Sequence, residues 1–201
     1  MITLYYALQS RSIRALWMLE EIGRPYRRER VDIHAKDHPS PEFLKISPLG
    51  KVPAIVDGET SVAESGAVLH YLAERFPEAR LAPPPGDPKR GRYLQWLFFA
   101  VGNIEAGYTA KLRGLELPPA QAGWGSFEQM MQAIERALTP GPWFAGDEFT
   151  AVDVLMGTDL YYGQEVMKIV PHWPAIDAFL DRCRARPALH RAIAIDSGKV
   201  A

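Results

Sequence analysis

The apolar positions of this chain change rhythm as it proceeds. Residues 2–6 (ITLYY) are β-branched and aromatic, and apolar side chains then recur at 13, 16, 17, 19 and 22, close to helical spacing. Gly23 and Pro25 close that helix, and residues 26–33 alternate weakly as a second strand, so the chain opens as a βαβ unit. A short helix is predicted at 41–44, ahead of Pro48. Two short strands follow at 52–56 and 60–62, split by the hairpin pair Asp57-Gly58. Residues 64–76 read as a helix with Ala67, Val68, Tyr71 and Leu72 on one face. The order βαβ, short α, ββα predicts a four-stranded mixed sheet covered by helices.

The stretch 77–88 (PEARLAPPPGDP) concentrates Pro and Gly, which favour stiff, irregular backbone. It divides the chain into a sheet-containing domain at 1–77, a linker at 78–88 and an all-helical domain at 89–201. The predicted helices there span 89–115, with a bend near Gly102 or Gly107, then 127–138, 152–169, 174–186 and 188–195, separated by proline-rich joints.

At 201 residues and 47% hydrophobic composition, the chain can build one large core or two smaller ones. Its 23 basic and 24 acidic residues leave a formal charge of -1, so no nucleic-acid partner is expected. The single cysteine, Cys183, excludes an intramolecular disulfide and any CxxC redox or zinc motif, and fits a reducing, cytoplasmic setting. The opening segment carries Arg11 and Arg14 and lacks the apolar core of a signal peptide, while the longest apolar run, 94–101, is too short to span a bilayer. No membrane association and no metal are expected.

The chemistry centres on Lys51-Val52-Pro53, followed eleven residues after the proline by Glu64-Ser65-Gly66. Proline has no N–H for a ladder, and an X-Pro bond in a tight turn is a candidate for the cis form, which would turn the Val52 N–H and C=O outward to pair with an extended peptide. Glu64-Ser65 opens a helix whose free N–H groups and positive dipole end suit a carboxylate. Together these features suggest a pocket for a short acidic peptide. Read singly, Lys51-Val52-Pro53 also fits an ordinary loop entering a strand, and His38 a solvated loop histidine.

The segments SRSIRALWMLEEIGRPY, HPSPEFLKISPLGKVPAIVDG and AESGAVLHYLAERFP, the proline-rich linker and PWFAGDEFTAVDVLMG together resemble the cytosolic glutathione S-transferase family along nearly the whole chain, in its serine-type, bacterial-like form. The resemblance implies an α/β plus all-α architecture: an N-terminal thioredoxin-like domain with a four-stranded mixed sheet, then a C-terminal helical bundle. It implies glutathione as the acidic peptide, consumed as a co-substrate with no cofactor. Val52, ahead of Pro53, would pair with the cysteinyl backbone, Glu64 and Ser65 would hold the γ-glutamyl end, and His38 and Lys51 would face the glycyl carboxylate. Pro39 stands where several relatives offer a second basic residue.

The nucleophile would be the glutathione thiolate. A thiol near pKa ~8.5 is only a few per cent ionised at neutral pH, and lowering that value by about two units requires roughly 2.7 kcal/mol of thiolate stabilisation. One hydroxyl hydrogen bond together with a helix N-terminus supplies this magnitude. By the resemblance Ser10 is the activating hydroxyl and Ser12 the alternative, with Tyr5 and Tyr6 less suitably placed within the strand. Both serines also suit capping of the first helix. Leu8, Gln9, Tyr108 and Leu112 are the expected lining for a small hydrophobic electrophile. Trp96, Phe98, Phe99 and Tyr108 are read mainly as core or dimer interface. Thr150-x-x-Asp153 between Phe149 and Val154 is read as a structural helix start.

Conjugation of glutathione to an apolar electrophile is the leading expectation. Glutathione-dependent isomerisation, peroxide reduction or dehalogenation, and a non-catalytic binding module on the same fold, are the alternatives. A homodimer is expected from the resemblance.

Overall fold

The computed structural model describes residues 1–199. These form two compact units, one made of residues 1–80 together with residues 186–199, the other of residues 81–185.

The first unit contains strands β1 (Thr3–Tyr6), β2 (Arg27–Arg30), β3 (Ala54–Asp57) and β4 (Thr60–Ala63), and helices α1 (Ser12–Ile22), α2 (Pro41–Ile46) and α3 (Ser65–Arg75). The sheet order is β2-β1-β3-β4, with β1 parallel to β2 and the other pairs antiparallel. This is the four-stranded mixed sheet that the order of elements predicts. Leu4 and Ile55 on the central strands, Leu16 on α1 and Leu69 and Leu72 on α3 are all fully buried.

Local chemistry sets the element ends. Gly23, at φ 68, closes α1 with its N–H on the Leu19 carbonyl. β2 is shorter than the pattern predicts because Asp32 accepts the His34 N–H at 3.0 Å, which turns the chain off the sheet edge. β3 begins at Ala54 rather than at 52, since Pro53 donates nothing to a ladder.

α1 is buried on more than one side, from Arg14 through Leu19, whereas the periodicity predicts a single apolar face. The cause is α9 (Pro187–Asp196), which packs on α1 and so belongs to this unit instead of closing the helical segment. Arg186 grips both carboxylate oxygens of Glu21 at 2.6 and 2.8 Å, and Arg191 reaches Glu20 Oε2 at 2.7 Å and its carbonyl at 2.8 Å.

The second unit is helical. α4 (Arg90–Phe99) continues through a π-helical turn at Ala100–Ile104, which contains Gly102, into α5 (Glu105–Arg113). α6 (Phe127–Leu138), α7 (Ala151–Tyr161), a second π-helical turn at Tyr162–Val166 and α8 (Pro174–Arg184) follow. Trp96, Phe144 and Phe179 form its aromatic centre, with Phe144 and Phe179 edge to face at 5.2 Å. Phe98 faces outward instead, 67% exposed. α7 starts on Asp153, fully buried, whose carboxylate accepts the Thr150 N–H at 2.8 Å and the Phe144 N–H at 2.9 Å. No helix among the described residues is long and apolar enough to cross a membrane.

Candidate active site

Tyr5, Ala54 and Ala63 form one row across β1, β3 and β4. β1 leaves this row toward residues 7–10, β3 enters it from Val52-Pro53, and β4 leaves it for Glu64-Ser65. One end of the sheet therefore gathers the three segments that the sequence singles out. β2 runs parallel to β1 and exits at the same end toward His38.

In the loop after β1, the Ser10 Oγ–H donates to the Ala7 carbonyl at 2.8 Å, and the Ser10 and Ser12 hydroxyl oxygens lie 2.9 Å apart. The Ala7 N–H donates to Ser12 Oγ at 3.2 Å and the Ser12 N–H to Ser10 Oγ at 3.1 Å. Each hydroxyl carries one proton, so a Ser10 proton on Ala7 leaves the Ser12 proton to bridge the two oxygens. Ser12 is 0% exposed and its hydroxyl braces the loop, while Ser10 is half-buried. Neither serine caps α1 from the N-cap position, which Arg11 occupies. Tyr5 and Tyr6 are half-buried within β1, and the Tyr5 ring packs 5.7 Å from Phe43.

The Val52-Pro53 bond is cis, as is His38-Pro39. Among the described residues, neither the N–H nor the C=O of Val52 has a hydrogen-bond partner within the chain. The backbone of exposed Lys51 is fixed by buried Ser47, whose Oγ accepts the Lys51 N–H at 3.0 Å while its hydroxyl donates to the Lys51 carbonyl at 2.8 Å. His38 Nε2 is 2.9 Å from the Gly50 carbonyl oxygen and its ring lies tilted against Phe43, with centroids 5.7 Å apart. Gly50, at φ 63, abuts Pro39 so closely that a Cβ would fall 2.5 Å from that ring. Thus His38 and Pro39 support the Gly50-Lys51 backbone.

Glu64 adopts φ 70, a left-handed value that costs a non-glycine residue about 1 kcal/mol or more. No side chain caps α3, which begins at the next residue, so its first N–H groups are available to an anion. Behind them Arg14 Nη1 donates to Ser65 Oγ at 3.2 Å, with Arg14 7% and Ser65 9% exposed. Sequence reasoning missed Arg14. The signal was present: a cation in the first turn of a helix that continues as ALWML.

Of the expected electrophile lining, Leu8 and Gln9 lie in the β1–α1 loop, with Gln9 exposed at φ 51. Tyr108 does not line a surface: it is 5% exposed, and its hydroxyl donates to the Asp159 carbonyl at 3.3 Å inside the second unit. Burial pushes its phenol well above the usual range. Gly163 admits the ring there, since a Cβ would fall 2.6 Å from the Tyr108 oxygen. Leu112, four residues on, is half exposed, so this pair does not share one environment. Among the described residues no group of three or more His, Cys, Asp or Glu side chains could hold a metal ion.

Known proteins match both parts of this chain. The glutathione S-transferase N-terminal domain model matches residues 1–74, and the C-terminal domain model matches residues 125–187. Glutathione S-transferase 1 of Dianthus caryophyllus is 40% identical over 77% of this chain and 73% of its own length. The disulfide-bond oxidoreductase YfcG of Escherichia coli is 29% identical over 96% of this chain and 94% of its own. The crystal structure of a glutathione transferase from Methylococcus capsulatus superposes over 100% of both chains, with a TM-score of 0.80 and 31% identity. Two domain matches in sequence order, relatives spanning most of the chain and a full-length structural neighbour agree: the chain belongs to the cytosolic glutathione S-transferase family.

Proposed function

We propose that this protein conjugates glutathione to small apolar electrophiles, with Ser10 as the hydroxyl that stabilises the thiolate. The observation that carries the reading is the shared row Tyr5, Ala54, Ala63, which delivers Ser10, Val52 and Glu64-Ser65 to one end of the sheet. The unpaired N–H and C=O of Val52 take the cysteinyl backbone by strand addition. The uncapped start of α3, with Arg14 behind Ser65, takes the γ-glutamyl carboxylate. Lys51 faces the glycyl carboxylate, and His38 serves that end by holding Gly50 in place.

Ser10 turns its proton from the Ala7 carbonyl to the sulfur, and the Ser12 N–H donated to Ser10 Oγ keeps the hydroxyl oriented. The thiol proton leaves to solvent. The sulfur lone pair then forms a C–S bond to the electrophilic carbon, which releases a leaving group in substitution or takes up a proton in conjugate addition. Leu8 and Gln9 flank the position where that carbon sits.

The test is an ultraviolet titration of bound glutathione against pH. Wild type should ionise the thiol at least one unit below its free value of ~8.5, and Ser10→Ala should restore most of that difference. Unchanged ionisation in Ser10→Ala would reassign the activating role.

A second reading is favoured by the similarity to YfcG, a disulfide-bond oxidoreductase. The chain's lone cysteine is buried in α8, so reduction of a disulfide here would proceed through the sulfur of glutathione. The same thiolate would serve isomerisation, peroxide reduction or dehalogenation. Assaying one preparation against an aryl halide, a peroxide and a mixed disulfide separates these activities, and binding without turnover on any of them would identify a non-catalytic module. We further propose a cytoplasmic homodimer, in which a second copy covers the outward-facing Phe98 and Val101.

A further inference from the structure

We propose that Asp196, at the end of α9, is a positioning residue that sets the conformation of the Ser10 loop through the backbone amide of Gln9. Asp196 Oδ1 accepts the Gln9 N–H at 3.1 Å across 187 positions of sequence. Gln9 stands at φ 51, a left-handed conformation that an L side chain keeps only where its surroundings hold it. The hydroxyl circuit that ties Ala7 to Ser10 and Ser12 closes the loop on both sides of Gln9. The Asp196 carboxylate supplies the opposing hold. Release of Gln9 to negative φ would swing Ser10 away from the Ala7 carbonyl.

The carboxylate arrives from a fixed post. The two arginine–glutamate pairs, Arg186 with Glu21 and Arg191 with Glu20, dock α9 along α1, so its last residue is held where the loop passes. The turn beyond α9 meets the loop as well: a Cβ on Gly198 would lie 3.4 Å from Leu8 Cδ1. Burial pushes the Asp196 carboxyl up and the Gln9 N–H draws it back, as for a carboxylate partly withdrawn from water onto a single amide.

This role rests on Ser10 as the thiol activator, and the experiment separates the two. Bound-glutathione thiolate absorbance is titrated in wild type, Ser10→Ala, Asp196→Ala and Asp196→Asn, with glutathione affinity measured by calorimetry and folding by thermal denaturation. Asp196→Ala is expected to raise the bound-thiol pKa by about one unit while affinity changes less than about threefold. Asp196→Asn keeps an oxygen acceptor and should titrate as wild type. A rise in Ser10→Ala without one in Asp196→Ala overturns the Asp196 role alone. No rise in Ser10→Ala overturns the activator and the proposal with it. An Asp196→Asn protein as impaired as Asp196→Ala overturns the acceptor role, and so does an affinity loss that accounts for the whole change. Because α9 is anchored by Arg186 and Arg191, the Asp196 variants should fold.

Discussion

Arg14 and Ser65 are joined by a 3.2 Å hydrogen bond between two nearly buried side chains, one from the first turn of α1 and the other opening α3. A guanidinium donates and never accepts, so Ser65 Oγ is the acceptor and its own proton is left to point away from Arg14. The arrangement sets a hydroxyl donor, backbone N–H groups and a positive charge around the same small volume, which is what a carboxylate requires.

Replacing Arg14 by Leu should therefore weaken glutathione binding about ten- to a hundred-fold, the loss expected when a charge-assisted bond of about 1.5–3 kcal/mol is removed. Arg14→Lys should recover only part of it, because an ammonium lacks the planar fork. Isothermal titration calorimetry on both variants reads this directly. Equal affinity in Arg14→Leu and wild type would leave the buried arginine with a packing role only.

Ser10 and Ser12 should separate cleanly by the property they affect. Ser12→Ala leaves the Ala7 N–H without its buried acceptor and should lower unfolding stability by about 1–3 kcal/mol. Ser10→Ala removes a half-buried hydroxyl and should cost less stability but lower conjugation rate at pH 6.5 by about tenfold or more. Chemical denaturation and steady-state kinetics on the same two proteins decide the matter.

Asp153→Ala should be the most damaging of these substitutions to the fold. It strands the buried Thr150 and Phe144 N–H groups and the Thr150 hydroxyl, so a loss of about 3 kcal/mol or more is expected. The check is a thermal melt, with glutathione binding measured well below the transition.

Asp57 gives a pH-dependent prediction. The Arg75 guanidinium bonded at 2.8 Å, helped by the Tyr71 hydroxyl at 3.1 Å, holds the Asp57 carboxyl below its usual range. A depressed folded-state pKa contributes stability that is present above the unfolded value, near ~3.9, and is lost as pH falls through the folded one. Wild type should exceed Asp57→Asn in stability at pH 7, and the gap should close as the pH is taken below about 4. A gap independent of pH would assign the difference to geometry rather than charge.

The order of elements, and with it the sheet and the end at which its loops gather, was legible because it depends on short-range signals: the alternation of ITLYY, the Gly23 stop, the Asp57-Gly58 turn. The Thr150-to-Asp153 helix start was legible for the same reason. Arg14 was not, because spacing within one helix does not reveal that a serine fifty-one positions later will stand against it. Tyr108 was misplaced because its hydroxyl finds a carbonyl on α7, where Gly163 makes room beside it, and neither is visible from the turn that Tyr108 shares with Leu112. The destination of α9 was hidden too, since Arg186 and Arg191 look like ordinary solvated charges until Glu21 and Glu20 are placed opposite them.

That destination delays completion of the first unit. The sheet, α1 and α3 leave the ribosome first, yet the helix that covers the remaining side of α1 follows only after all of residues 81–185 have been made. For that interval the nascent first unit shows the flank of α1 that α9 later covers, with Glu20 and Glu21 still awaiting their arginines. The helix translated after that interval is thus the one that completes the first structure begun, and a ribosome stalled anywhere in the intervening helices would carry a first unit whose β1–α1 loop still lacks the Asp196 carboxylate.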